Sequence, residues 1–237
     1  MNDLGIKIYA DGADIKEIIK MSQDNFIDGF TTNPTLMARL GITDYLGFAK
    51  EVLSHVKDKS ISFEVFSDDL DEMYRQALIL RDLGDNVWVK IPVTNTKSQP
   101  TYDLIHKLST EGVKVNATAL FTHEHIEKVY DALNPNINSI ISIFAGRIAN
   151  VGLDPEPTMK FAAELTKEHP LVETLWASTR EIFNIVEAAR TNTDIITVPF
   201  SLINSYHKDF GKDLDEFSLE TVKMFYDDAK KSGFSIS

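Results

Sequence analysis

Lys90 lies inside an otherwise apolar run, Val87-Trp88-Val89-Lys90-Ile91-Pro92. A lysine held at such a place is either a snorkelling or edge-strand residue, a phosphate ligand, or a nucleophile that forms a Schiff base with a carbonyl. A nucleophilic amine must be unprotonated; desolvation and nearby cations favour that state, and nearby carboxylates oppose it. Two carboxylates stand at comparable places: Glu64 in Ser62-Phe63-Glu64-Val65-Phe66, and Asp11 at the end of Ile6–Asp11. Singly, each could be a helix cap or an ion-pair partner. Together at one mouth they can divide acid and base roles, as both amine–carbonyl condensation and C–C cleavage require. Arg147 and Arg180 each precede a helical segment, and Ser178 lies close by in sequence. Guanidinium, hydroxyl and backbone N–H groups at a helix start suit a phosphate dianion, although two surface arginines are the plainer reading.

These residues need elements to bring them together. Eight short β-branched or aromatic runs recur: Ile6–Asp11, Gly29–Asn33, Ile61–Phe66, Val87–Pro92, Val113–Leu120, Ile140–Ala145, Thr174–Ser178 and Ile195–Pro199. Their ends recur about every 27 residues, near the size of one strand–helix unit. Between them the apolar period turns helical, as in Ile15/Ile18/Ile19, Leu70/Met73/Ala77/Leu80, Leu104/Ile105/Leu108, Ile126/Val129/Tyr130/Leu133, Phe161/Ala162/Leu165 and Ile182/Phe183/Val186. Asn33-Pro34 reads as a cap with proline at the first helical position. Thr122 reads as a second cap. Gly84 and Gly112 read as helix-terminating glycines. Alternation of this kind predicts an α/β chain with a parallel sheet. Eight units in 237 residues predict one (β/α)₈ TIM barrel spanning 1–237; a doubly wound open sheet is the alternative. Residues 214–233 add an amphipathic C-terminal helix that could dock on the barrel or on a second subunit.

In a closed barrel no strand is an edge, and polar residues near strand ends gather at one mouth. Asp11, Thr31, Asn33, Glu64, Lys90, Asn116, Thr118, Ser142, Ser178 and Arg180 lie near strand ends and, within a strand, share parity. A polar ring against the helix layer would be costly, so the lumen is their expected side. There the edge-strand reading of Lys90 lapses.

Composition narrows the partners. The chain carries 24 Lys and Arg against 36 Asp and Glu, a net charge of −12, which argues against nucleic acid as a partner. It has no cysteine, hence no disulfide, thiolate metal site or cysteine nucleophile. No apolar run reaches a membrane-spanning length, and the opening residues MNDLGIKIYADGAD lack the pattern expected of a signal peptide. A cytoplasmic protein with no membrane partner is the expectation. His123 and His125, two apart at a helix start, should diverge rather than pair on a metal, and no metal site is expected. Asn116-Ala117-Thr118 matches a glycosylation sequon but falls inside a strand.

With the residues placed, GFTTNPTLMA (29–38), VWVKIPVT (87–94), VNATALFT (115–122), SIFAGRI (142–148) and WASTR (176–180) together resemble the transaldolase family, in order and over most of the chain. The length is similar to that of its short, single-barrel members, a branch that includes fructose-6-phosphate aldolases. The resemblance implies Lys90 as the Schiff-base lysine, Asp11 as the acid–base group of C–C cleavage, and Glu64 with Thr118 as the pair holding a water for imine formation. It implies Asn33, Asn116 and Ser142, beside Thr31, around the three-carbon unit. Arg147, Ser178 and Arg180 would form the phosphate site. Glu64 and Phe144 match the transferase pattern, where the aldolase branch carries Gln and Tyr. The resemblance further implies sugar-phosphate substrates, no cofactor, a place in the pentose phosphate pathway and a homo-oligomer, with a decamer known among the short members. Ile143 replaces a usual proline, and the 150–157 loop is this chain's own.

Overall fold

The computed structural model describes residues 4–236. Eight parallel strands pair in sequence order, and the last returns to the first, so the sheet closes into a barrel. They are β1 (Lys7–Asp11), β2 (Gly29–Thr31), β3 (Ser60–Glu64), β4 (Val87–Pro92), β5 (Val115–Leu120), β6 (Ser139–Ile143), β7 (Val172–Trp176) and β8 (Ile195–Pro199). The crossover helices are α1 (Ile15–Ser22), α2 (Pro34–Arg39), α3 (Tyr45–His55), α4 (Leu70–Arg81), α5 (Tyr102–Thr110), α6 (His123–Ala132), α7 (Ala145–Asn150), α8 (Glu156–Thr166) and α9 (Phe183–Arg190). After β8 come α10 (Phe200–Asp209) and α11 (Leu214–Lys231). The barrel forms a compact unit that ends at Ile203, and a second unit begins at Asn204.

Strand residues are buried on both faces because the lumen fills with side chains and helices cover the outside. Tyr9, Ile140, Leu175, Ala177 and Ile195 plug the lumen, with Trp88 and Phe144 packed on them. The alternate residues Ile8, Ile61, Val89, Ile141 and Ile196 are fully buried. Burying each such aliphatic side chain contributes roughly 1.5–3 kcal/mol.

The barrel is the one the spacing predicts, with shorter strands at the ends where side chains take over the backbone's hydrogen bonds. β2 stops at Thr31 because Asn33 caps α2, its Oδ1 accepting from Leu36 N–H. β3 stops at Glu64, and Gln76 Oε1 accepts from the N–H groups of Phe66 and Ser67. Thr122 caps α6 as expected. Gly112 adopts φ +82°, the left-handed turn that ends α5. Gly84 does not: α4 closes on Asp82, and Gly84 takes an ordinary φ. The phase expected for α9 is also corrected. Asn184, Ile185 and Ala188 face inward, while Phe183 is half exposed. The helical period did not reveal α3, which Asp44 caps through Gly47 N–H. Its buried face is Phe48, Ala49, Val52 and Leu53.

In the second unit, α11 starts at an Asp213 cap and buries none of its residues.

Candidate active site

Register sets the mouth. Glu64 pairs with Lys90 and Lys90 with Asn116 on adjacent strands, while Asp11 pairs with Thr31 across the β1–β2 ladder. Lys90 is 7% exposed. Its Nζ lies 3.0 Å from Glu64 Oε2 and donates to the Thr32 carbonyl at 3.0 Å. A buried ammonium is tolerated only when paired and hydrogen-bonded, and these two partners meet that need.

Asp11 accepts at Oδ1 from Thr31 Oγ1 at 2.7 Å. Thr31 Oγ1 is also hydrogen-bonded to Thr197 Oγ1 from β8. Since Thr31 spends its one proton on Asp11, Thr197 is the donor in that second bond. Burial pushes the Asp11 carboxyl above its ordinary value; Lys90 and the Thr31 hydroxyl pull it down, and Glu64 pushes it up further. A carboxyl with raised proton affinity can take a proton from a hydroxyl and return it.

Across the lumen, Ser142 Oγ donates to Asn116 Oδ1 at 2.6 Å, and Asn116 Nδ2 donates to Ser62 Oγ at 3.0 Å. The chain joins β6, β5 and β3 beside the lysine. Thr118 is buried, and its Oγ1 has no protein partner. An unsatisfied buried hydroxyl next to β4 is a place for water or a substrate hydroxyl. Asn33 has spent its side-chain oxygen on the α2 cap.

Arg147 and the neighbours of Arg180 both lie on α7. Arg147 lies on that helix, its guanidinium 5.1 Å from the Phe144 ring centre. At the end of α7 the Asn150 amide, turned with its nitrogen toward Gly146 O (3.1 Å) and its oxygen toward Arg180 Nη2 (3.3 Å), satisfies both groups. Arg180 follows Ser178, whose φ of +69° turns the chain sharply out of β7. Gly146 N–H donates to Ala177 O. A Cβ on Gly146 would lie 1.7 Å from the Ser178 carbonyl oxygen, so only glycine allows this approach. Asn184 Oδ1 accepts from the N–H groups of Arg180 and Glu181.

The histidines diverge as their spacing implied: His123 stacks on Phe161, and His125 Nδ1 accepts from Phe121 N–H. Among the described residues no group of three or more His, Asp or Glu could hold a metal ion. No described helix is long and apolar enough to cross a membrane.

The family model described as Transaldolase/Fructose-6-phosphate aldolase matches residues 8–236. The chain belongs to that family. It is 34% identical over 198 residues to a probable transaldolase 2 of Listeria monocytogenes, covering 83% of this chain and 86% of the relative. It is 32% identical over 199 residues to a probable transaldolase of Dehalococcoides mccartyi, covering 84% and 88%. It is 31% identical over 229 residues to one of Thermoplasma volcanium, covering 95% and 96%.

In this transaldolase-family barrel the structure brings Asp11, Thr31, Glu64, Lys90, Asn116 and Ser142 into bonded clusters. Parity served less well on β7. Leu175 and Ala177 belong to the lumen plug, so Ser178 has the opposite parity and leaves the strand by a left-handed turn instead. Arg147 lies inside α7 rather than ahead of it. Sequence reasoning missed Ser62, Thr197, Tyr45 and Asn150. Ser62 shares parity with Glu64, and Thr197 with Ile195 of the plug, so strand alternation could have found both. Tyr45 and Asn150 lie on helices, where strand alternation gives no signal.

Proposed function

We propose that this chain is a transaldolase. It would move a dihydroxyacetone unit from a ketose phosphate (sedoheptulose 7-phosphate or fructose 6-phosphate) to an aldose phosphate (glyceraldehyde 3-phosphate or erythrose 4-phosphate). The observation that carries this reading is the buried Lys90 with Glu64 Oε2 at 3.0 Å. Glu64 takes the Lys90 proton, and the free amine adds to the ketose C2 carbonyl. A water held between Glu64 and Thr118 relays the protons by which the carbinolamine loses water to an iminium. Asp11 then takes the proton of the C4 hydroxyl. The C3–C4 electron pair flows into the iminium, the aldose phosphate leaves, and an enamine stays on Lys90. The acceptor aldehyde adds by the reverse path: its new hydroxyl receives the proton from Asp11, and water releases the product ketose. The protonated imine is the electron sink, so Lys90 supplies the activation itself. Arg147, Ser178 and Arg180 hold the phosphate, and Thr31, Asn33, Asn116 and Ser142 surround the three-carbon unit.

Phe144 favours transfer over release. Its ring packs against Phe121 and lies under Arg147, and it has no phenol with which to protonate the enamine. The family description also names fructose-6-phosphate aldolase. Borohydride trapping with fructose 6-phosphate, read by mass spectrometry, tests both readings. The expected result is an adduct on Lys90, with little free dihydroxyacetone at any stage and turnover to a new ketose phosphate only when an acceptor aldehyde is added. Steady dihydroxyacetone release without acceptor would favour the aldolase, and no adduct with no turnover would leave a sugar-phosphate-binding barrel. The same reading carries a cytoplasmic enzyme of the pentose phosphate pathway. It also carries a homo-oligomer, a decamer by the resemblance, supported by the exposed apolar residues of α11: Leu214 (80%), Val222 (58%) and Phe225 (63%).

A further inference from the structure

The β2–β3 ladder lacks its last rung. On β3, Ile61 N–H and Val65 N–H donate toward β4, to Asn86 O and Lys90 O. The even-numbered residues therefore face β2, as Thr32 N–H donating to Ser62 O shows. With Thr31 opposite Ser62, the next rung would run from Glu64 N–H to Thr32 O and from the N–H of residue 34 to Glu64 O. Residue 34 is proline and has no N–H. The Thr32 carbonyl, in turn, accepts from Lys90 Nζ at 3.0 Å. Both main-chain groups of Glu64 are left without their ladder partners. Tyr45 fills the gap from α3: its hydroxyl accepts from Glu64 N–H and donates to Glu64 O, each at 2.8 Å.

We propose that Tyr45 is a positioning residue for imine formation, its hydroxyl standing in for the missing rung so that Glu64 is fixed and the Thr32 carbonyl stays free for Lys90. This rests on the reading of Lys90 and Glu64 as the imine-forming pair. The two roles are coupled. Without the hydroxyl, the Glu64 N–H would turn to the Thr32 carbonyl, the acceptor that now steers the lysine. Burial pushes the Tyr45 phenol above its ordinary value, so it remains a donor through the neutral range. The ring is held independently, by Phe66 at 5.2 Å and Phe63 at 6.4 Å.

Tyr45→Phe removes the oxygen and keeps the ring. Single-turnover imine formation with fructose 6-phosphate, quenched in borohydride and referred to the sites trapped at the end point, reads folded molecules alone. The variant should form the Lys90 adduct at least about tenfold more slowly, the scale of a small misplacement of a reacting group. KM for the sugar phosphate should stay within about twofold, since the phosphate site lies on other elements. Phe66→Leu loosens the same ring without touching the hydroxyl; it should lower the unfolding temperature and leave the trapping rate unchanged. Equal rates in Tyr45→Phe and wild type would overturn the proposal, as would equal slowing by Phe66→Leu. No adduct on Lys90 in the wild type would instead overturn the Schiff-base reading on which it stands.

Discussion

Asp11 is held where its charge is least welcome. Desolvation outweighs Lys90 and the Thr31 hydroxyl, so its carboxyl keeps its proton more tightly in the folded chain than the ordinary 3.8 allows. The folded state therefore binds more protons than the unfolded one between 3.8 and the raised value, and stability falls as pH rises through that window. Above it the penalty is present in full, and below it the penalty vanishes. Asp11→Asn keeps the shape and discards the charge. It should raise stability at pH 7–8 by about 1 kcal/mol, the usual scale of a single stabilising change. The gain should shrink as pH approaches 4, while turnover falls by about 100-fold or more with the loss of the proposed acid–base group. Thermal unfolding at several pH values checks it, and a pH-independent difference would contradict it. Lys90→Met tests the other half of the cluster. With the cation gone, Asp11 and Glu64 keep only each other's like charge and the trapping reaction has no amine. Turnover should vanish, and stability at neutral pH should fall by about 3 kcal/mol, the scale for breaking one side of a buried pair. The stability loss should narrow in acid as the Asp11 carboxyl protonates.

At the scale of elements, the proposed phosphate site depends on how closely α7 approaches the end of β7. Gly146→Ala puts a methyl 1.7 Å from the Ser178 carbonyl oxygen, and neither backbone can give way without moving its element. The expected cost is about 2–3 kcal/mol. Because the displaced elements carry Arg147, Ser178 and Arg180, KM for a phosphorylated donor should rise about tenfold or more. Trapping of unphosphorylated dihydroxyacetone on Lys90 should change little; equal losses with both compounds would refute a phosphate-specific role. The same elements mark how far sequence could be read. Strand–helix alternation is periodic, so the barrel and most of the mouth residues followed from it. β2 and β3 end early because Asn33, Pro34, Gln76 and Tyr45 take or deny single backbone bonds, and no period records such events. Alternation predicts Glu64, Lys90 and Asn116 on one face; it fails at Ser178, where φ +69° breaks the strand. Likewise α3 stayed hidden behind the glycine in its first turn, and with it Tyr45.

For the whole molecule, two facts pull against each other: a net charge of −12 per chain, and an α11 whose Leu214, Phe217, Leu219, Val222, Met224, Phe225 and Tyr226 all lie exposed. Apolar area of that kind on one helix suits the association surface of the proposed oligomer, and like charge on every copy opposes association. Salt decides between them in a known direction. At about 0.01 M the Debye length is about 30 Å, and neighbouring chains feel each other's charge; at about 0.15 M it is about 8 Å, and the repulsion is confined to close contacts. Burial of apolar side chains loses nothing over that range. Association should therefore strengthen as salt rises, the reverse of an assembly held by opposite charges. Light scattering at micromolar protein should give a multiple of 26.7 kDa at 0.15 M salt and a smaller average mass at 0.01 M. Phe225→Glu, which adds charge to α11 itself, should shift the mass toward one chain at both. A wild-type mass of one chain at 0.15 M would overturn the association, and a mass that falls with added salt would assign it to ion pairs instead of α11.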